Sequence, residues 1–324
     1  MSASSSRGAV PSRQPTPLDE EEQSAAAVRT GRQALVLTFA SAGLGNSLSA
    51  ICTNPFDIIK VRQQLAVDRS RASFWSVAAS MARNEGVRSW WNGVTASCLR
   101  EASYSTIRMG SYESFKDLYS PLVDASSFTN KLLAGITSGA IGAAIATPTD
   151  LVKVRMQAAR PPSGEPPFPN TFVGFARVYQ EGAARSSSPL AGLQSLYRGV
   201  GPTVVRAAIL TSTQIGCYDE AKTLMKARLG LSEGVALHFA SSMVAGFVCS
   251  AASQPVDVIK VRIMQDKSRQ INGAFHSLGM LLRNEGPLAL YKGFGMCWAR
   301  LGTHTVISLV LFERFRALFG IKPL

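Results

Sequence analysis

Histidine and cysteine are scarce in this chain, with three and five copies in 324 residues. No two cysteines stand in Cys-x-x-Cys spacing, so neither a zinc site nor a disulfide framework is suggested. Four of the five (Cys52, Cys98, Cys217, Cys249, Cys297) fall inside apolar segments and are read as small buried hydrophobes. There is no glycine-rich phosphate loop, nucleophile–base constellation or metal-ligand cluster, which argues against an enzyme and implies no cofactor. Acidic residues are also few, 21 against 34 basic ones, for a net charge of +13. That balance alone would allow nucleic-acid binding, but its distribution decides otherwise. Charge is missing from three long runs, Ala34–Asn54, Leu132–Thr147 and Val235–Gln254, which contain no Asp, Glu, Lys or Arg. A helix crossing hydrocarbon needs about 20 mostly apolar residues. The mean hydropathy of only +0.10 then implies membrane helices with one wet face around an aqueous cavity.

Residues 1–33 are rich in Ser, Ala, Arg and Pro and hold the acidic run Asp19-Glu20-Glu21-Glu22. A cleaved mitochondrial presequence is poor in acid. The segment is therefore expected to be a disordered tail, with any targeting information internal.

What the sequence does have is a repeat. The octet Pro55-Phe-Asp57-Ile-Ile-Lys60-Val-Arg62 returns as Pro148-Thr-Asp150-Leu-Val-Lys153-Val-Arg155 and as Pro255-Val-Asp257-Val-Ile-Lys260-Val-Arg262. Each octet is followed by an acidic-Gly pair and then an aromatic-x-Gly: Glu85-Gly86 and Trp91-Asn92-Gly93, Glu181-Gly182 and Tyr197-Arg198-Gly199, Glu285-Gly286 and Tyr291-Lys292-Gly293. Extra residues around Ser186–Gln194 lengthen the middle copy and read as a loop insertion. A third element closes each repeat: Tyr112-Glu113-x-x-Lys116, Tyr218-Asp219-x-x-Lys222 and Phe312-Glu313-x-x-Arg316. Arg100, Arg206 and Arg300 precede Tyr112, Tyr218 and Phe312 by one and the same interval.

The expected layout is three helix pairs. Odd helices cover about 34–63, 130–157 and 234–264, and more polar even helices about 95–116, 200–223 and 294–316. The units are a tail at 1–33 and repeats at 34–123, 124–229 and 230–324. Small residues four apart, Gly135/Gly139 and Ser242/Gly246, mark expected helix-packing seams. From the octet Asp through the aromatic-x-Gly, every repeat carries six basic and three acidic residues, so +9 of the +13 lies on one side. Such a bias orients a membrane protein.

These elements resemble the mitochondrial carrier family over about residues 34–318. The resemblance implies an all-α membrane protein: six transmembrane helices in three tandem helix-pair repeats, a pseudo-threefold bundle around a central cavity open alternately to either side. It implies the inner membrane, with the basic side in the matrix and both termini toward the intermembrane space. A monomer is expected, with membrane lipid such as cardiolipin at the matrix loop helices and no nucleic acid.

By family likeness a matrix gate pairs Lys60 with Asp150, Lys153 with Asp257 and Lys260 with Asp57. The alternative is a permanent salt-bridge belt. Gln64 and Gln157 would brace this ring from four residues past the Lys, where the third repeat departs with Met264. A cytoplasmic gate would hold Glu113, Lys116, Asp219, Lys222, Glu313 and Arg316. Arg100, Arg206 and Arg300 lie about 18 Å along the axis from that third element. A guanidinium fork suits carboxylate, sulfate or phosphate, so three of them predict an anionic substrate. Pairing with local acid is the alternative, and Glu101 beside Arg100 could partly neutralise the site. Ala207 after Arg206 disfavours amino acids, and that pair also disfavours nucleotides.

Arg108-Met-Gly-Ser-Tyr112 and Arg300-Leu-Gly-Thr-His304-Thr-Val306 look like the dicarboxylate, oxoglutarate and uncoupling-protein branch. Arg108 and His304 are then candidate cavity residues, with His304 as readily an interhelical hydrogen-bonding residue. His238 and His276 read as structural. Asn92 stands where the family usually has a base. The expected function is antiport of malate, succinate or oxoglutarate against another dicarboxylate, phosphate or sulfate. The alternative is a proton or fatty-acid-anion leak pathway.

Overall fold

A computed structural model describes residues 17–66, 73–124, 127–158, 168–186, 189–229, 235–266 and 268–319. Every regular element among them is helical. The odd helices are α1 (Pro17–Leu65), α4 (Phe128–Gln157) and α8 (Val235–Gln265). Each carries its octet proline inside the helix. The even helices are α3 (Val94–Tyr119), α7 (Val200–Leu229) and α10 (Phe294–Leu318). Between them lie the loop helices α2 (Phe74–Asn84), α5 (Thr171–Ser186), α6 (Pro189–Leu196) and α9 (Ala274–Asn284). Short 3-10 turns at Val87–Trp91 and Pro287–Tyr291 lead into α3 and α10.

The long helices pack in a closed circuit, α1 on α3, α3 on α4, α4 on α7, α7 on α8, α8 on α10 and α10 on α1. This is the pseudo-threefold six-helix bundle. Stretches Phe128–Gln157, Met243–Gln265 and Pro287–Phe315 are long and apolar enough to cross a membrane. Leu44, Leu48, Ile145, Phe247 and Val310 stand exposed on the long helices, as lipid contact requires.

The octet builds two faces at once. Asp and Lys point inward, and the two apolar residues between them turn outward onto the loop helices. Ile58 and Ile59 pack with Val77, Ala78 and Met81 of α2, and Val258 packs with Leu281 of α9. Gly93, Gly199 and Gly293 hold φ values of +71°, +86° and +80°, the left-handed region where a side chain is strained. Each faces the residue four past the Lys of another repeat: a Cβ would lie 3.5 Å from Gln157 Cγ, 3.1 Å from Met264 Cγ and 3.5 Å from Gln64 Cγ, respectively.

Three expectations are corrected. Residues 17–33, read as disordered, begin α1, and the remainder of that tail lies outside the described residues. The extra residues of the middle repeat are helical in part: α5 runs to Ser186, and α6 packs against it. Gly135 and Gly139 are buried as expected, but a Cβ on Gly246 would meet nothing within 4 Å among the described residues. The register shared by all three odd helices is one residue earlier, at Ser41/Gly45, Ala134/Ser138 and Ser241/Ala245, all buried. At Gly45 a Cβ would lie 3.2 Å from the Phe312 amide nitrogen, so the small residue admits α10.

Candidate functional site

Below each octet proline, the Asp and Lys are no more than 8% exposed. A charge buried this deeply needs a partner. Lys60 reaches Asp257, Lys153 reaches Asp57 and Lys260 reaches Asp150, each at 2.6 Å. The ring therefore forms, but in the sense opposite to the expected pairing: each lysine reaches the preceding repeat. Residues three apart on a helix share a face without superposing, so Asp and Lys lean toward opposite neighbours. Which neighbour is which depends on the order of the repeats around the axis, which spacing does not contain.

The three even-helix arginines complete this ring. Arg100 Nε lies 2.6 Å from Asp150 Oδ1 and Arg300 Nε 3.0 Å from Asp57 Oδ1, while Arg206 pairs with Asp257 Oδ1. Every ring carboxylate thus gives Oδ2 to a lysine and Oδ1 to an arginine. Of the local acids expected as alternative partners, one is found among the described residues: Arg100 pairs also with Glu101. The axial distance from the third element already carried the signal, because it sets the arginines deep toward the octets. Tyr104 lies under Arg100, with the guanidinium 5.5 Å from its ring centre. Arg108, further along α3 toward the other mouth, is half-buried.

The expected braces line the same cavity but make no hydrogen bond to the ring among the described residues. Gln157 Nε2 donates to Asn54 Oδ1 at 3.1 Å, and both amide atoms of Gln64 are buried without a hydrogen-bond partner among the described residues. The His304 ring nitrogen Nε2 is likewise buried without a partner among the described residues, and its carbonyl, not its ring, accepts the interhelical bond from Ser49 Oγ at 3.0 Å. His276 Nδ1 accepts from the Asn272 amide, and the His238 side chain lies outside the described residues. Cys249 and Cys297 are buried, the latter accepting from Lys60 Nζ at 3.2 Å, whereas Cys52 is exposed. Cys52 sits on an outward face of α1, so an apolar segment did not make it interior.

Sequence reasoning missed the role of the octet arginine. Arg62 binds Glu85 in bidentate fashion at 2.6 and 2.8 Å, and Arg155 and Arg262 bind Glu181 and Glu285 at 2.7 and 2.8 Å. Their Nε groups donate to the carbonyls of Gln157, Met264 and Gln64 in the following repeat. The threefold Arg and Glu-Gly positions were the signal. In the aromatic-x-Gly turns, Arg198 pairs with Asp266 at 2.7 Å and Lys292 donates to the Ala66 carbonyl at 2.7 Å. Asn92 instead offers its carbonyl to Asn54 at 3.4 Å. Burial pushes the Asp266 carboxyl up, but the Ile271 amide, the Ser268 hydroxyl and Arg198 outweigh it and hold the group below its usual range.

The opposite end is different. Glu113 is exposed and meets Lys116 on its own helix at 3.6 Å, and Glu313 is exposed too. Lys222 is half-buried, and the side chains of Asp219 and Arg316 lie outside the described residues. The chain is closed at the octet ring, with no matching buried ring among the described residues of the third element.

The family model described as "Mitochondrial carrier protein" matches residues 31–122, 124–229 and 232–323. The chain is 35% identical to a probable mitochondrial 2-oxoglutarate/malate carrier protein of Dictyostelium discoideum, over 89% of this chain and 91% of the relative. It is 34% identical to mitochondrial uncoupling protein 1 of Arabidopsis thaliana, over 89% and 95%. It is 31% identical to the mitochondrial dicarboxylate carrier of Caenorhabditis elegans, over 87% and 93%.

Proposed function

The chain belongs to the mitochondrial carrier protein family, and on that premise we propose that it is an antiporter of small dicarboxylates. Members of this family are transporters rather than enzymes, and the mitochondrial inner membrane is where the chain works. The observation that carries the reading is the arginine on every ring carboxylate: a carboxylate substrate offers those same forks the partner they already hold. We place the octet ring at the matrix side and both termini in the intermembrane space, because the basic surplus lies beyond that ring.

In this mechanism the anion enters from the open end and passes Arg108 and His304. It then competes with Asp150, Asp257 and Asp57 for Arg100, Arg206 and Arg300. Each arginine it takes leaves an aspartate held by one lysine alone, so substrate binding offsets the cost of opening the matrix gate. Glu113, Lys116, Asp219, Lys222, Glu313 and Arg316 then close the cytoplasmic gate. Transport requires the anion to bind the intermediate better than either end state. Gln64 and Gln157 sit just past the ring, where they would line the opened passage. One chain contains the whole cavity, which fits a monomer, and the loop helices face the leaflet where cardiolipin would bind.

A second reading is a proton or fatty-acid-anion leak. It is supported by the likeness to an uncoupling protein. Uptake of labelled malate, oxoglutarate, phosphate and sulfate into proteoliposomes, each loaded with a candidate counter-anion, separates the two. Uptake that requires internal anion is the expected result. Proton conductance with no anion uptake overturns it.

A further inference from the structure

Arg100 differs from its two counterparts. Arg206 and Arg300 have the ring carboxylates Asp257 and Asp57 as ion-pair partners, whereas Arg100 holds both Asp150 and Glu101. Glu101 is 7% exposed, deep in the bundle, and the cations or potential cations Arg100, His304, Lys153 and Arg300 lie around it. The corresponding position after Arg206 is Ala207 and after Arg300 is Leu301, so of the three arginines Arg100 alone is followed in the chain by an acid.

We infer that Glu101 sets the valence of the transported anion. At the cavity floor Lys60, Lys153, Lys260, Arg100, Arg206 and Arg300 face Asp57, Asp150, Asp257 and Glu101, six cations against four anions, a net charge of +2. In the competition with the ring aspartates, Arg100 keeps Glu101 as a partner even when Asp150 lets go, so Arg206 and Arg300 are the two forks left wholly to the substrate. Two forks take two carboxylates. A third carboxylate would meet an occupied arginine and the negative charge of Glu101. The site therefore selects dianions against trianions, a property that rests on the anion-exchange function proposed above and specifies its substrate class.

The test compares exchange of succinate with that of tricarballylate, which adds one carboxylate to a similar skeleton. Wild-type protein in proteoliposomes should strongly prefer succinate. Glu101→Gln should raise the tricarballylate-to-succinate ratio by about tenfold or more, as expected for removing one buried charge near the site. Glu101→Asp should keep the wild-type ratio. If Glu101→Gln does not fold by thermal melting, the double variant Arg100→Gln/Glu101→Gln carries the test. It deletes the pair and leaves two free forks, so its preference for succinate should persist, and loss of that preference overturns the inference. An unchanged ratio in folded Glu101→Gln also overturns it while leaving dicarboxylate exchange intact. A wild-type protein that exchanges no dicarboxylate overturns the proposed function, and this inference with it.

Discussion

At the scale of single residues, the ring aspartates decide what each cation does. Asp57 is held by Lys153 and Arg300 through different oxygens. Stripping one partner from a buried ion pair costs about 3–5 kcal/mol when nothing replaces it. Arg300→Ala leaves Lys153 in place, so the loss should fall below that range, measurable as a lower melting temperature in detergent, while exchange falls to background. Arg300→Lys should recover the stability but little of the exchange, since an ammonium keeps the charge and loses the fork. Wild-type exchange by Arg300→Ala would remove Arg300 from the substrate site. All three arginines were legible in the sequence as a set, from their register. Their ring partners were not, because facing depends on how helices are rotated in the bundle, and a shared interval along the chain says nothing of that.

At the scale of elements, the loop helices are tied to the bundle by side chains at their corners. Arg62, bound to Glu85 and to the Gln157 carbonyl, joins α1, the α2 corner and α4. Arg62→Ala should destabilise the fold by about 2–4 kcal/mol, because it removes the buried cation that Glu85 and the Gln157 carbonyl share. A melting curve indistinguishable from wild type would show the tie to be idle. Asp266 supplies a pH-dependent counterpart at the end of α8. Its carboxyl is held below the usual range in the folded chain. Its contribution is therefore present above the unfolded value, about 3.9, and is lost as pH falls through the folded value. Asp266→Asn should melt below wild type at neutral pH, and the gap should close only under about pH 4. The helix pairs were legible because proline, glycine and charge repeat at fixed positions. The helical start at Pro17 was not: an acid-rich, Ser/Ala/Pro-rich segment has the composition of disorder, yet Ala, Glu and Gln are also good helix formers once α1 provides a nucleus to extend.

At the scale of the whole molecule, one end is shut by six cations on three carboxylates, and the other end shows Glu113 and Glu313 exposed. Cys297 lies 1% exposed beneath this closure, against Lys60. With the other four cysteines replaced by serine, Cys297 should resist an impermeant alkylating reagent until a transported dicarboxylate is supplied. Its labelling rate should then rise severalfold. Labelling that ignores substrate would mean the ring does not open during exchange. The threefold architecture was fully written in the octets. The sense in which the ring winds was not, because a repeat fixes what is equivalent and leaves open which neighbour comes next.

The contact of α1 with α10 has a topological consequence. Two of the three junctions between repeats are covalent, and the third is made by Lys60 on Asp257, Lys292 on the Ala66 carbonyl and the close approach of Gly45 to Phe312. Seen this way the molecule is a circle cut once, and the cut falls at a joint no different in kind from the other two. A circular permutant that joins the end of α10 to the start of the α1 core by a flexible linker, and opens the chain in the short segment between α3 and α4, should rebuild the same cavity and exchange the same anions.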